Sequence, residues 1–164
     1  MREIRPHHLF DAVVWTAASM FLVLLAVHEA HAGEHRYDNA NAAYRAECGS
    51  CHVAYPPALL SAPSWIRVLG GLDKHYGTDA SVDDAALTAI REYVGPRAGD
   101  RKRAEPAATA GTPRITTTPW FVKEHREVGQ RWSDPRIKSA ANCGACHSQA
   151  VQGDFSEATL RVPR

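Results

Sequence analysis

Two pentapeptides of the form C-x-x-C-H, at residues 48–52 and 143–147, use all four cysteines of this 164-residue chain. In each pentapeptide, the two thiols can form thioether bonds to the two vinyl groups of one haem, and the adjacent histidine can bind the iron. The motif therefore predicts two sites of covalent c-type haem attachment. The predicted attachment residues are Cys48, Cys51, Cys143 and Cys146, and the predicted proximal ligands are His52 and His147.

Other sites also use C-x-x-C. A pair of such units is typical of a zinc ribbon with four thiolate ligands, and a single unit can form a disulfide or a redox-active dithiol. None of these sites requires a histidine directly after the second cysteine. Two such histidines are rare by chance in a chain with nine histidines. The sequence thus favours haem over zinc or disulfides, which stay open as alternatives.

The N-terminus has the pattern of a secretory signal peptide. A basic stretch with Arg2 and Arg5 precedes an apolar run at residues 12–27, and Ala30-His31-Ala32 fits a signal-peptidase site. The run is shorter than the roughly 20 apolar residues of a membrane-spanning helix. We therefore expect residues 1–32 to be cleaved, which leaves a periplasmic protein with no stable membrane span. The net charge of +1 gives no indication of nucleic-acid binding.

The set of possible axial ligands limits what can bind the second face of each iron. Both methionines, Met1 and Met20, lie in the predicted signal peptide, so the mature chain cannot use His/Met ligation. Apart from the two motif histidines, the mature chain keeps three candidates. These are His35, His75 and His125. A five-coordinate iron or a weaker ligand such as lysine is the alternative.

His75 lies at the end of a segment that we predict as a helix, residues 64–75. Trp65, Leu69 and Leu72 recur there at helical spacing, and His75 falls on the same apolar face. A histidine on such a face is commonly a core residue bonded to a carbonyl. Because a haem motif precedes this segment, we favour His75 as an iron ligand.

His125 lies in a helix predicted over residues 118–129, with Thr118 as N-cap and Pro119 at the first helical position. Phe121 and His125 fall on one face, and charged neighbours occupy the other faces. The alternative is an exposed histidine among those charges. The shared face with an aromatic residue favours His125 as an iron ligand.

We therefore predict that His75 and His125 are the distal ligands. Each is paired with the motif histidine of its own part of the sequence, so His75 faces His52 and His125 faces His147. A crossed pairing stays open. His35 lies in a polar stretch just after the predicted cleavage point and is the least favoured candidate.

The rest of the chain predicts an all-α fold without significant β-sheet, because no window alternates like a strand. We expect two small haem-centred helical lobes of cytochrome c type, packed together. The N-terminal lobe spans residues 33–95 and the C-terminal lobe residues 118–164. Residues 96–117, rich in proline, alanine and threonine with a basic run, form a predicted linker. The lobes are too small to fold on their own apolar residues, so the haems must supply much of the core.

Further helices are predicted around these motifs. One is alanine-rich and leads into the first motif over residues 39–51, with Tyr44 as a possible haem contact. Another helix follows a capping box that starts at Ser81, and this helix ends at Gly95. A third runs from Asp134 to Cys143.

The order of motifs resembles the bacterial dihaem cytochrome c family, often called DHC, over residues 37–155. C-x-x-C-H is followed by the segment KHYGTDAS at residues 74–81, then A-I-x-x-Y-V, then T-x-x-P-W-F-x-x-x-H, then the second C-x-x-C-H. The resemblance implies a periplasmic electron carrier with two bis-histidine haems. It also implies a redox partner, either a high-spin cytochrome such as sphaeroides haem protein or a membrane cytochrome b.

The expected activity is outer-sphere electron transfer, because an iron with six ligands cannot bind substrate without losing one. On this interpretation the protein is not an enzyme. The competing interpretation is a small dihaem enzyme, peroxidase-like or thiosulfate-oxidising, with one open axial site. A subunit that carries electrons within a larger oxidoreductase is a third possibility.

Overall fold

The fold is built from short helices. The computed structural model describes residues 36–106 and 111–163, so the predicted signal peptide and His35 lie outside the described residues. The α-helices are α1 (Ala42–Cys48), α2 (Ala62–Leu69), α3 (Asp84–Val94), α4 (Arg101–Ala104) and α5 (Pro119–Glu124). The 3₁₀ helices are Pro57–Leu59, Leu72–Lys74, Gly95–Arg97, Ile115–Thr117, Gly129–Ser133, Cys143–Ala145, Ala150–Gln152 and Glu157–Thr159.

The prediction of an all-α fold is confirmed, since β-pairing in the described ranges is limited to isolated bridges. Residues 37–164 form one compact unit. None of its described helices has the length and apolar character needed to cross a membrane.

Side-chain caps set the starts of all five described α-helices, and the cap of α4 is Asp100, which accepts from the Lys102 N–H. The predicted N-cap Thr118 is confirmed, since its hydroxyl accepts a hydrogen bond from the Phe121 N–H at 3.1 Å. Asn41 and Ser61 cap α1 and α2 in the same way. Helix α3 begins later than predicted, because Asp83 rather than Ser81 accepts the capping bond, from the Ala86 N–H at 2.7 Å.

Three helices end earlier than predicted. Helix α1 spans Ala42–Cys48 instead of residues 39–51. Helix α2 stops at Leu69, because Gly70 caps it and the chain then turns through the 3₁₀ helix Leu72–Lys74. Helix α5 stops at Glu124 and is capped by His125. Both predicted iron ligands therefore sit just beyond a helix rather than inside one.

The predicted helix from Asp134 to Cys143 is wrong. The Asp134 carboxylate accepts hydrogen bonds from the backbone N–H and the guanidinium of Arg136, which closes a turn instead of starting a helix. Lys138 then adopts φ +64°, a left-handed conformation that cannot continue a right-handed helix. The segment reaches the second motif through turns and enters the 3₁₀ helix Cys143–Ala145.

The main apolar core belongs to the N-terminal part of the unit. It contains nine buried side chains, from α1, α2, α3 and the turn after the first motif: Tyr44, Ala54, Leu60, Trp65, Val68, Leu69, Ile90, Tyr93 and Val94. The predicted apolar face of residues 64–75 is thus buried up to Leu69. Over residues 118–163, the buried apolar side chains of the described chain are Phe121, Ile137 and Ala150.

The predicted linker packs against the N-terminal part of the unit. The Gly99 N–H donates to the Leu60 carbonyl at 2.8 Å, and the Ser61 N–H donates to the Ala104 carbonyl at 3.0 Å. Glu105 accepts from Arg67 at 3.1 Å. Residues 99–105 therefore run along the first core instead of standing apart from it, while the division into two lobes stays a prediction.

Hydrogen bonds also join the two ends of the compact unit. The Tyr37 N–H donates to the Gly153 carbonyl at 2.9 Å, and the Asn39 side chain donates to the Val151 carbonyl at 2.8 Å. Gly153 has φ +80°, and a Cβ at this position would lie 2.4 Å from the Tyr37 oxygen. The close approach at this contact therefore requires glycine.

This unequal distribution of core residues predicts that the C-terminal part of the unit depends more on haem for its folding than the N-terminal part does. In a variant with Cys143→Ala and Cys146→Ala, residues 118–163 should lose most amide protection, because too few apolar side chains remain to hold them. Hydrogen–deuterium exchange by mass spectrometry measures this. The matched variant, Cys48→Ala with Cys51→Ala, should keep more protection around its own motif, because nine core residues remain there. Equal losses around the two motifs would contradict the prediction.

Candidate haem sites

The first predicted ligand pair comes together in the structure. The ring centroids of His52 and His75 lie 6.2 Å apart, with an angle of 22° between the ring planes. A tight turn presents His75, because its carbonyl accepts from the Thr78 N–H at 3.0 Å. Tyr76 and Gly77 inside this turn have φ +50° and +97°. The turn, rather than a helix, aims His75 at the first motif.

The second predicted pair is also brought together, at the same separation. The ring centroids of His125 and His147 lie 6.2 Å apart, with 74° between the ring planes. The His147 N–H donates to the Cys143 carbonyl at 2.8 Å, which closes the motif into one turn. The Arg161 N–H donates to the Cys146 carbonyl at 2.7 Å and holds the C-terminal segment beside this motif.

The separation of each pair fits an iron held between two imidazoles. Metal–imidazole bonds of about 2 Å on both sides place the two ring centroids about 6 Å apart. The histidines that meet are those of the same part of the sequence, as in the uncrossed pairing. An open cavity of about 660 Å³, lined by Arg131, Leu160, Arg161 and Val162, also adjoins the second motif. The residues present thus fit two haem groups.

Hydrogen bonds fix the tautomer of one histidine in each pair. The Nδ1 of His52 lies 2.8 Å from the Val53 carbonyl, and the Nδ1 of His125 lies 2.9 Å from the Phe121 carbonyl. A carbonyl oxygen can only accept, so Nδ1 carries the proton and Nε2 keeps its lone pair for a metal. His52 and His125 therefore have the form that an iron ligand requires.

His75 differs in its surroundings. Its Nδ1 is buried and has no hydrogen-bond partner among the described residues. Burial, followed by the nearby His52, lowers the pKa of His75. The neutral ring that results is the form that binds metals.

Aromatic side chains pack against the predicted ligands. Tyr55 stacks on His52 at 4.5 Å with 13° between the planes, and Phe121 stacks on His125 at 4.0 Å with 16°. Phe155 lies 5.2 Å from His147. Tyr55 and Phe155 were not among the predicted site residues. Their sequence signal is an aromatic residue shortly after each motif.

The two motifs lie next to each other. The Tyr55 hydroxyl donates to the Ala141 carbonyl at 2.6 Å, which links the turn after the first motif to the residues before the second. A Cβ added at Gly144 would lie 3.9 Å from the Val53 side chain. The two predicted haem sites are therefore neighbours within one compact unit.

Comparison with known proteins identifies the family. The chain matches the family described as dihaem cytochrome c over residues 44–155. It belongs to the dihaem cytochrome c family. Members of this family carry two covalently bound haem c groups and act in electron transfer, and the same holds for this dihaem cytochrome.

Solved structures support this assignment. A diheme cytochrome c from Rhodobacter sphaeroides is 38% identical with a TM-score of 0.63, and the match covers 73% of this chain and 99% of that one. A diheme cytochrome type c from Shewanella baltica is 35% identical with a TM-score of 0.63, covering 75% and 93%. No curated protein sequence matches significantly.

The buried thiols of this dihaem cytochrome differ from those of a redox-active dithiol. Burial raises the pKa of Cys48 and of Cys143 to about 11. Redox-active dithiols depend on a lowered pKa, which is the opposite direction. Within the described ranges, no three His, Cys, Asp or Glu residues are grouped as a metal site.

Thr118 should control how firmly His125 is held. Its side chain is fully buried and caps α5, whose Phe121 carbonyl accepts from His125. We expect Thr118→Ala to lower the free energy of unfolding by about 1–2 kcal/mol, the usual value of an N-cap. Guanidinium denaturation of the haem-loaded protein measures this. Thr118→Ser keeps the capping oxygen and should retain most of the stability, whereas equal losses in both variants would contradict the capping role.

Proposed function

We propose that this dihaem cytochrome is a periplasmic electron carrier whose two haems are both bis-histidine and low-spin. The observation that carries the proposal is the short distance within each histidine pair. The ring centroids of His52 and His75, and those of His125 and His147, lie 6.2 Å apart. His52 and His147 are the proximal ligands, and His75 and His125 the distal ones.

This ligand set favours electron transfer over catalysis. The bound haems supply one-electron Fe(III)/Fe(II) chemistry. With a histidine on each side, every iron is closed to substrate. Because the rings stay bound in both oxidation states, the protein changes little on electron transfer. Both features suit a carrier and count against a peroxidase-like or thiosulfate-oxidising enzyme with an open site.

The arrangement also supports passage of electrons between the haems. Val53, directly after the first motif, lies near Gly144 of the second, and Tyr55 bonds the segments beside the two motifs to each other. With haem held at both motifs, the two groups would be close enough to exchange an electron inside the protein. The partner is another cytochrome, either a high-spin haem protein or a membrane cytochrome b.

Replacement of the distal histidines tests the proposal. His75→Ala should convert the first haem alone to a high-spin form that binds CO when reduced, because one axial ligand is lost. His125→Ala should do the same to the second haem alone. Optical and EPR spectra of the purified variants measure both effects.

His35→Ala is the control in that series, because His35 is the remaining candidate ligand of the mature chain. It should leave both haems low-spin. A high-spin fraction or CO binding in the wild-type protein, or a high-spin signal in His35→Ala, would contradict the proposed ligand set.

The two ring-plane angles predict two different EPR signals. Nearly parallel imidazole planes separate the iron d orbitals in energy and give a rhombic low-spin spectrum, whereas nearly perpendicular planes give a strongly anisotropic one. The first haem, with 22° between its rings, should show the rhombic type, and the second, with 74°, the anisotropic type. Each signal should vanish in the corresponding distal variant. Two identical low-spin signals would contradict the geometry.

A further inference from the structure

Tyr55 occupies an unusual position between the two haem sites. Its ring stacks on the predicted proximal ligand His52, with centroids 4.5 Å apart and 13° between the planes. Its hydroxyl donates to the Ala141 carbonyl at 2.6 Å, just before the second motif. A single side chain thus contacts a ligand of one haem and the backbone next to the other.

The apolar core supports Tyr55 from behind. Tyr44, which is only 1% exposed, donates its hydroxyl hydrogen bond to the Tyr55 carbonyl. The following residues, Pro56 and Pro57, restrict the backbone because proline fixes φ. The backbone at Tyr55 is therefore held by the core of the fold.

We propose that Tyr55 is a positioning residue that orients the His52 ring and fixes the spacing between the two haem attachment motifs. The inference deepens the proposed function and rests on His52 being an iron ligand. The ring and the hydroxyl have separate tasks. The ring holds the plane of His52 by stacking on it, and the hydroxyl bonds the segment after the first motif to the residues before the second.

The separation of tasks gives two variants with different outcomes. Tyr55→Phe keeps the ring and removes the hydrogen bond to the Ala141 carbonyl. The EPR signal of the first haem should therefore stay unchanged, while electron exchange between the haems slows several-fold. Tyr55→Ala removes both contacts. It should shift the EPR signal and the reduction potential of the first haem, because the His52 ring loses the stacking contact that sets its plane.

Tyr93→Phe is the matched control. Tyr93 lies in the apolar core, away from the predicted ligands, and its hydroxyl donates to the Asp38 carbonyl at 2.6 Å. This bond has the same chemistry as the bond from Tyr55 but does not join the two motifs. The control should therefore lower stability about as much as Tyr55→Phe and leave electron exchange between the haems at the wild-type rate.

The experiment uses the haem-loaded protein, with EPR spectroscopy, redox titration and flash-induced electron exchange on each variant. If Tyr55→Ala does not fold, the comparison of Tyr55→Phe with Tyr93→Phe still decides the role of the hydroxyl. Equal rates of electron exchange in these two variants would overturn the role of the Tyr55 hydroxyl in fixing the spacing between the motifs. An unchanged first haem in Tyr55→Ala would overturn the orienting role. A high-spin wild-type spectrum would instead refute the ligand set, a result distinct from either.

Discussion

The 6.2 Å that separates the ring centroids in each predicted ligand pair is the constraint on which the rest of the structure depends. A helix that continued through His75 or His125 would fix the direction of the side chain by the helix axis. Instead, α2 and α5 stop first, and the next residues turn. The turn at His75 and the cap position of His125 let each ring be placed by local hydrogen bonds. Helix ends that look premature from the sequence thus serve ligand placement.

The same constraint explains why most of the apolar core of this small unit lies in its N-terminal part. The N-terminal part packs three helices around Tyr44 and Trp65 and keeps an apolar centre made of protein. The C-terminal part consists of 3₁₀ helices and turns after Glu124, with few buried apolar side chains. A flat apolar macrocycle held at three points, two thioethers and a histidine, can replace the missing helices as a packing surface.

Much of this could be predicted from local sequence signals. The C-x-x-C-H motifs, the Thr118 cap and the apolar stripe from Trp65 depend on short-range spacing, and the all-α fold follows from the absence of strand periodicity. The helix predicted at Asp134 failed because a side-chain turn to Arg136 competes with helix formation, which propensity alone does not weigh. The hydrogen bond from Tyr55 could not be predicted in this way, because its partner Ala141 is distant in sequence.

The closeness of the two motifs would affect how two bound haems share charge. Reduction of one iron would add a negative charge beside the other, and partly buried surroundings would screen that charge less than water does. The second electron would therefore be harder to add than the first, even if the two sites alone were equal. The ring planes of the two predicted ligand pairs differ, at 22° and 74°, so the sites would be unequal from the start. The two reduction steps would then belong to the pair rather than to either iron, as with any two interacting sites.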